Sequence, residues 1–268
     1  MGFVPYVDIS SYPIFSIEPI TIVKNFALGF IVADIRNKPS WGGYYSITSD
    51  YYKKDIESIR KRGGDIIVSF GGAQGRELAV ACHNPGDLYE QYKSVIETYN
   101  VRKIDFDIEG NTLYNSHANM RRSYAIQILK NTYPDLYVSL TLPVTDIGLT
   151  MDGMKLVKTT PCDMVNIMAM NFGDGRDRMA QWAIKAANAV RAQTGLNIGI
   201  TVMIGKNDIV GETFTLNDAK ILKRFVDENK WVKRVSIWSL NRDNGDMSTL
   251  DKSSLIKQDK FAFTKTLL

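Results

Sequence analysis

The sequence predicts an α/β protein of the (β/α)8 TIM-barrel class, built as a single domain over residues 1–268. Eight short apolar runs recur along the chain with amphipathic stretches between them. No glycine-rich phosphate turn follows the first run, although a doubly wound sheet usually offers one there. No low-complexity linker or composition break divides the 268 residues, and barrels of roughly 250 residues fold as one domain.

The eight runs are FVPYVDI (3–9), FALGFIVADI (26–35), DIIVSFGG (65–72), KIDFDIEG (103–110), YVSLTLPV (137–144), MVNIMAMNFG (164–173), NIGITVMIG (197–205) and RVSIWSLN (234–241). Such runs alternating with helical patterns are the mark of βαβ units. The helical period is clearest in YYKKDIESIRKR (51–62), GDLYEQYKSVIETY (86–99), RDRMAQWAIKAANAVRAQ (176–193) and LNDAKILKRFVDEN (216–229). Asn84-Pro85 opens the second of these, and Thr215 with Asp218 reads as a capping box for the last. Gly63-Gly64 and Gly195 stand where helix C-caps belong. The stretch NKPSWGGYYS (37–46) predicts an extended loop.

Composition narrows the function classes. The chain is 44% hydrophobic and 23% charged, as ordinary globular proteins are. Its net charge of +4 comes from 33 basic and 29 acidic residues with no basic run, so nucleic acid is not an expected partner. Nothing approaches the ~18 consecutive apolar residues of a membrane span. The opening MGFVPYVDIS has neither a charged nor an apolar leader segment, so no signal peptide is expected in it. Two histidines are too few for a His-rich metal site, and no metal is expected. Cys82 follows the third run and Cys162 precedes the sixth, which predicts opposite ends of a barrel and free thiols.

The fourth run breaks the pattern of a buried parallel strand on one face only. Ile104, Phe106 and Ile108 can pack under helices, which aims Asp105, Asp107 and Glu109 the other way. Strand rise sets i and i+2 about 6.6 Å apart. Three acids so close in a low-dielectric interior raise at least one pKa or share protons. Ser69 and Gly71 on the third run, and Ser139 and Thr141 on the fifth, are small or polar on the matching face and imply a cavity. Glu109, followed by Gly110, falls at the C-terminal strand end, where barrel enzymes keep their catalysts.

DFDIEG (105–110) resembles the DxDxE signature of the family-18 glycoside hydrolases, and SFGG (69–72) resembles that family's SxGG motif. VNIMAMNFG (165–173), VMIGKND (202–208) and SIWSLNRDN (236–244) resemble the matching strands of a bacterial chitinase subgroup. The resemblance runs from the third run to the eighth, in order. It implies retaining, substrate-assisted hydrolysis of β-1,4 N-acetylglucosamine linkages in chitin or its oligosaccharides, with no cofactor. It makes Glu109 the general acid and then base, Asp107 the group that grips the acetamido N–H, and Asp105 the partner that sets the state of Asp107. Trp238 becomes the floor under the reacting sugar. Met168, Met170, Asn171, Ser69 and Gly71 become further substrate-binding candidates, and Trp41, with Tyr44 and Tyr45, lines outer sugar subsites. Met170 stands where the family commonly has a tyrosine, Asn171 where it has an acid, and Arg102-Lys103 where it has Asp-Gly. The resemblance also implies a chitin-binding monomer acting outside the cell. Two other readings share the acid motif, an endo-β-N-acetylglucosaminidase acting on N-glycans and a lectin of the same fold. A lectin of this kind usually lacks the acid at the Glu109 position.

Overall fold

A computed structural model describes residues 2–173 and 178–268. Among the described residues, eight principal strand positions occur in chain order. β1 comes in two pieces, Gly2–Phe3 and Tyr6–Asp8, interrupted at Val4-Pro5 because proline has no N–H to give to a ladder. The others are β2 (Asn25–Ala33), β3 (Asp65–Gly71), β4 (Lys103–Asp107), β5 (Tyr137–Pro143), β6 (Met164–Met168), β7 (Asn197–Met203) and β8 (Val232–Trp238). Helices α1 (Lys53–Lys61), α2 (Pro85–Tyr99), α3 (Ser116–Thr132), α4 (Met151–Thr159), α5 (Met179–Thr194), α6 (Leu216–Glu228) and α7 (Ala262–Leu267) follow β2 through β8. This is the strand–helix order of the (β/α)8 class, with no helix among the described residues between β1 and β2.

Helix ends form where the sequence places them. Asn84 Oδ1 accepts the N–H of Gly86 and Asp87, and Pro85 opens α2 without wasting a donor. Thr215 and Asp218 form the reciprocal capping box of α6. At the end of α1, Gly63 N–H meets Arg60 O and Gly64 N–H meets Ile59 O, which is a Schellman motif. Gly195 closes α5 at φ 70°. The helical pattern from 176 loses its first two residues to view, since Arg176 and Asp177 lie outside the described residues.

Contacts divide the chain into two compact units. One gathers Met1–Asp8, Pro143–Thr150 and Val165–Leu268; the other gathers Ile9–Leu142 and Met151–Met164. In the second, the ladder runs β5–β4–β3–β2. Its register sets Ser69 beside Asp105 beside Ser139, and Gly71 beside Asp107 beside Thr141. On the opposite face Phe70, Phe106 and Tyr92 of α2 form an aromatic cluster, with Phe70 and Phe106 stacked at 5.1 Å. All three are buried, each worth about 1.5–3 kcal/mol of transfer free energy. The expected loop at 37–46 is instead a pair of short antiparallel strands, Pro39–Trp41 and Tyr45–Ser46, extending the sheet from the edge of β2. Unpaired edge groups on β2 supply the template for this addition.

In the first unit the ladder runs β1–β8–β7–β6. Thr201 pairs with Ser236 and Met203 with Trp238. Asp218 of α6 also accepts the backbone N–H of Ala180 at 3.1 Å, which ties α5 to α6. Cys82 and Cys162 are free thiols, as their placement in the sequence predicts.

Candidate active site

Asp105 is fully buried on β4, and three hydroxyls from the flanking strands compensate its lost hydration. Ser69 on β3 donates to Oδ2 at 2.7 Å, and Ser139 on β5 donates to Oδ1. Thr141 lies 2.8 and 2.9 Å from the two oxygens and, with one proton, donates to either. The parallel register produces this ring, because it brings Ser69, Asp105 and Ser139 level with their side chains on one face. The small polar residues read from the sequence as lining a cavity therefore grip an acid instead. Ser69 is wholly buried, so its role is to hold Asp105 and not to touch a substrate.

Asp107 ends β4, 6% exposed. Its carbonyl accepts the N–H of Gly72 at 3.0 Å. Gly71 has φ +96°, and a Cβ built on it would lie 2.1 Å from that same carbonyl oxygen. Only glycine allows the β3 chain to lean so close, which accounts for the small residues after Ser69 and removes Gly71 from the substrate-contacting set.

Glu109 lies two residues beyond the strand, half-buried, before Gly110 at φ +53°. Ladder bonding persists as far as Ile108, whose N–H reaches Thr141 O at 3.0 Å. Strand alternation therefore orients Asp105 and Asp107, while the turn at Gly110 sets the direction of Glu109.

Behind Gly71 sits a charged cluster that the sequence reading missed. Glu77 and Arg122 form an ion pair at 2.8 Å with almost no exposure. Glu77 also accepts from Tyr92 Oη at 3.2 Å and from Ala79 N–H at 3.1 Å. Burial, then the Glu77 charge, holds the Tyr92 phenol well above its ordinary range. Burial alone would lower Arg122, but Glu77 and Tyr92 together outweigh it and leave the guanidinium raised. The Glu77 Cγ lies 3.7 Å from the Cβ position of Gly71, so the pair backs the chain that carries the SxGG residues. The only signal was a glutamate before an apolar tetrad, which reads as a helix cap.

Trp41 is a second correction. Its indole is 0% exposed, packs edge-on against Tyr99 at 5.5 Å, and donates Nε1–H to Tyr99 Oη at 2.7 Å. It is core and offers no face to a sugar. Tyr44 and Tyr45 beside it are exposed, and Tyr45 stacks on Tyr51 at 3.8 Å.

The other candidates belong to the first unit. Trp238 ends β8 half-buried and meets Tyr6 edge-on at 6.2 Å. Two and four residues earlier, Ser236 and Arg234 share its face; Arg234 Nη2 donates to Tyr6 Oη at 2.9 Å, and Asn166 Nδ2 to Thr201 Oγ1 at 2.7 Å. Met168 and Met170 are half-buried at the end of β6. Asn171, at φ 54°, spends its amide on the segment that follows β7: Nδ2 donates to Asp208 Oδ2 at 2.6 Å and Oδ1 accepts Asp208 N–H at 3.0 Å. That makes it a staple for its turn more than a hand for a ligand. Among the described residues no three His, Cys, Asp or Glu side chains gather as a metal site.

No family model matches the chain. It is 29% identical over 276 residues to a probable bifunctional chitinase/lysozyme of Escherichia coli, spanning 90% of this chain and 31% of that protein. It is 29% identical over 274 residues to Endochitinase 11 of Metarhizium anisopliae, spanning 90% of this chain and 52% of that one. The chain thus spans about a third to a half of the length of these curated relatives. Among solved structures, the catalytic domain of a chitinase from Pyrococcus furiosus superposes with a TM-score of 0.87 and 28% identity, covering 99% of this chain and 93% of that one. Catalytic-site mutants of the Pyrococcus domain have also been solved with chito-oligosaccharides, at TM-score 0.87 and 27% identity over 99% and 92% of the two chains.

Proposed function

We propose, from the premise that this chain resembles the family-18 glycoside hydrolases in sequence and in fold, that it hydrolyses β-1,4 linkages between N-acetylglucosamine units with retention. The observation that carries the reading is the acid segment itself. Asp105 is locked by three hydroxyls, Asp107 ends the strand beside a glycine that admits no side chain, and Glu109 follows on the turn.

In this mechanism the substrate supplies the nucleophile, the recognised exception to the two-carboxylate scheme. The acetamido oxygen attacks its own anomeric carbon as Glu109 protonates the departing glycosidic oxygen, and the C–O bond breaks. Asp107 accepts a hydrogen bond from the acetamido N–H and steadies the positive oxazolinium. Glu109, now ionised, takes a proton from water, whose oxygen then attacks the anomeric carbon and restores the acetamide. Asp105, fixed by Ser69, Ser139 and Thr141, anchors the segment from below. Trp238 lays its indole against the apolar face of the pyranose, with Met168 and Met170 as further contacts. We read residues 1–268 as one catalytic domain and chitin oligosaccharides as the ligand, met outside the cell. Glu109 is present, against the lectin reading.

Glu109→Gln keeps shape and removes the transferable proton. Its kcat on chitohexaose should fall about a thousandfold, in the range that general acid–base groups contribute, while oligosaccharide binding stays measurable. Turnover near the wild-type rate would sink the mechanism.

A further inference from the structure

The hairpin between β7 and α6 is bonded to two candidate sugar-contacting segments, and the two charged side chains that make most of those bonds, Glu212 and Arg242, are buried. Its strands Gly205–Lys206 and Thr213–Phe214 pair antiparallel. From its turn, Glu212 is 0% exposed and spends its whole carboxylate on the segment after Met170: Oε2 accepts Phe172 N–H at 3.0 Å and Oε1 accepts Gly173 N–H at 2.8 Å. Asn207 and Asp208 complete the grip on Asn171, and Asn207 Nδ2 returns to Met203 O at 2.9 Å.

At the other end, Arg242 is 1% exposed and gives its guanidinium to three carbonyls. Nη1 donates to Trp238 O at 2.9 Å, Nη2 to Lys206 O at 2.7 Å and Nε to Leu250 O at 2.5 Å. Burial lowers its pKa to about 10 against the opposing pull of Asp208 and Asp251. A buried charge so fully committed to backbone fixes geometry, because each group it serves is left unsatisfied if it moves.

We propose that Glu212 is a positioning residue for sugar binding, acting through the Met170–Gly173 turn, and that Arg242, four residues past β8 and bonded to Lys206 of the hairpin, does the same for Trp238. This rests on the reading of Met170 and Trp238 as sugar contacts. Neither Glu212 nor Arg242 touches the ligand. Their effect is on affinity, since the turn and the indole must already stand in place when the sugar arrives.

The decisive variant is Glu212→Gln, which turns one acceptor oxygen into an NH2 facing a backbone N–H. On chitohexaose its KM should rise about tenfold while kcat stays within about threefold, and Arg242→Lys should raise KM in the same direction by less. Placed in the Glu109→Gln background, Glu212→Gln should weaken chitohexaose binding in a calorimetric titration by the same factor. A lower melting temperature with KM and Kd unchanged would make Glu212 merely structural and overturn the proposal. If Glu212→Gln does not fold, Arg242→Lys carries the same measurement and an unchanged KM and Kd in it has the same force. A wild-type chain that binds chitohexaose without cleaving it would sink the hydrolase reading and leave the Kd comparison to judge this one. A chain that neither binds nor cleaves would sink both.

Discussion

On β4, the buried Asp105 is held by hydroxyls one or two bonds from the backbone of its neighbouring strands. On β8, Arg234 reaches across to a tyrosine hydroxyl, and the Trp238 carbonyl is held by an arginine four residues on. Short donors leave an acid almost no freedom, which suits a group whose neighbours must move a proton along one line. Long side chains fix the backbone at the Trp238 carbonyl and at the turn after Met170, which suits recognition of a sugar by shape. The acid-bearing region should therefore answer in kcat and the tryptophan-bearing region in KM.

Three substitutions test that division. Thr141→Val keeps the shape and removes the proton donor to a fully buried carboxylate. Leaving such a group short of a partner costs about 1–3 kcal/mol, so kcat should fall roughly ten- to a hundredfold with KM little changed. A change confined to KM would break the comparison. Trp238→Ala removes the proposed platform and should raise KM about tenfold, near 1.4 kcal/mol, with a smaller loss in kcat. Equal losses in both regions would mean that they are not specialised. The smallest effect is expected at Trp41→Phe, which gives up the bond to Tyr99 and some packing. Stability should fall by about 1–3 kcal/mol in chemical denaturation, with kcat and KM unchanged. An altered KM there would return Trp41 to the sugar site.

Much of this was legible in the chain. The acid segment announced itself because three carboxylates alternating with Ile104, Phe106 and Ile108 have no reason to exist in a covered strand. The caps at Asn84, Thr215 and Gly195 were readable because capping is local chemistry. Trp41 was misplaced because a tryptophan among glycines looks like a loop tip, whereas the stretch folds back antiparallel on the end of β2 and its indole is buried against Tyr99, 58 residues on. Ser69, Ser139 and Thr141 were seen as small and polar, but their common target depends on register between strands more than 30 residues apart. Glu77 with Arg122, and Glu212 with Phe172 and Gly173, are pairings of the same distant kind.

The close approach at Gly71 has a practical side for anyone wishing to redesign this molecule. Where a Cβ would meet a carbonyl oxygen at 2.1 Å, the chemical alphabet shrinks to one letter, and the backbone of Asp107 cannot be retuned from that side. Gly110 is restricted by its own backbone instead: no atom lies within 4 Å of its Cβ position, but φ +53° with ψ −141° falls outside the left-handed helical region that asparagine and aspartate visit and favours glycine. Both sides of the acid segment are thus held to glycine, at Gly71 by a facing carbonyl oxygen and at Gly110 by the backbone angles of the turn that carries Glu109.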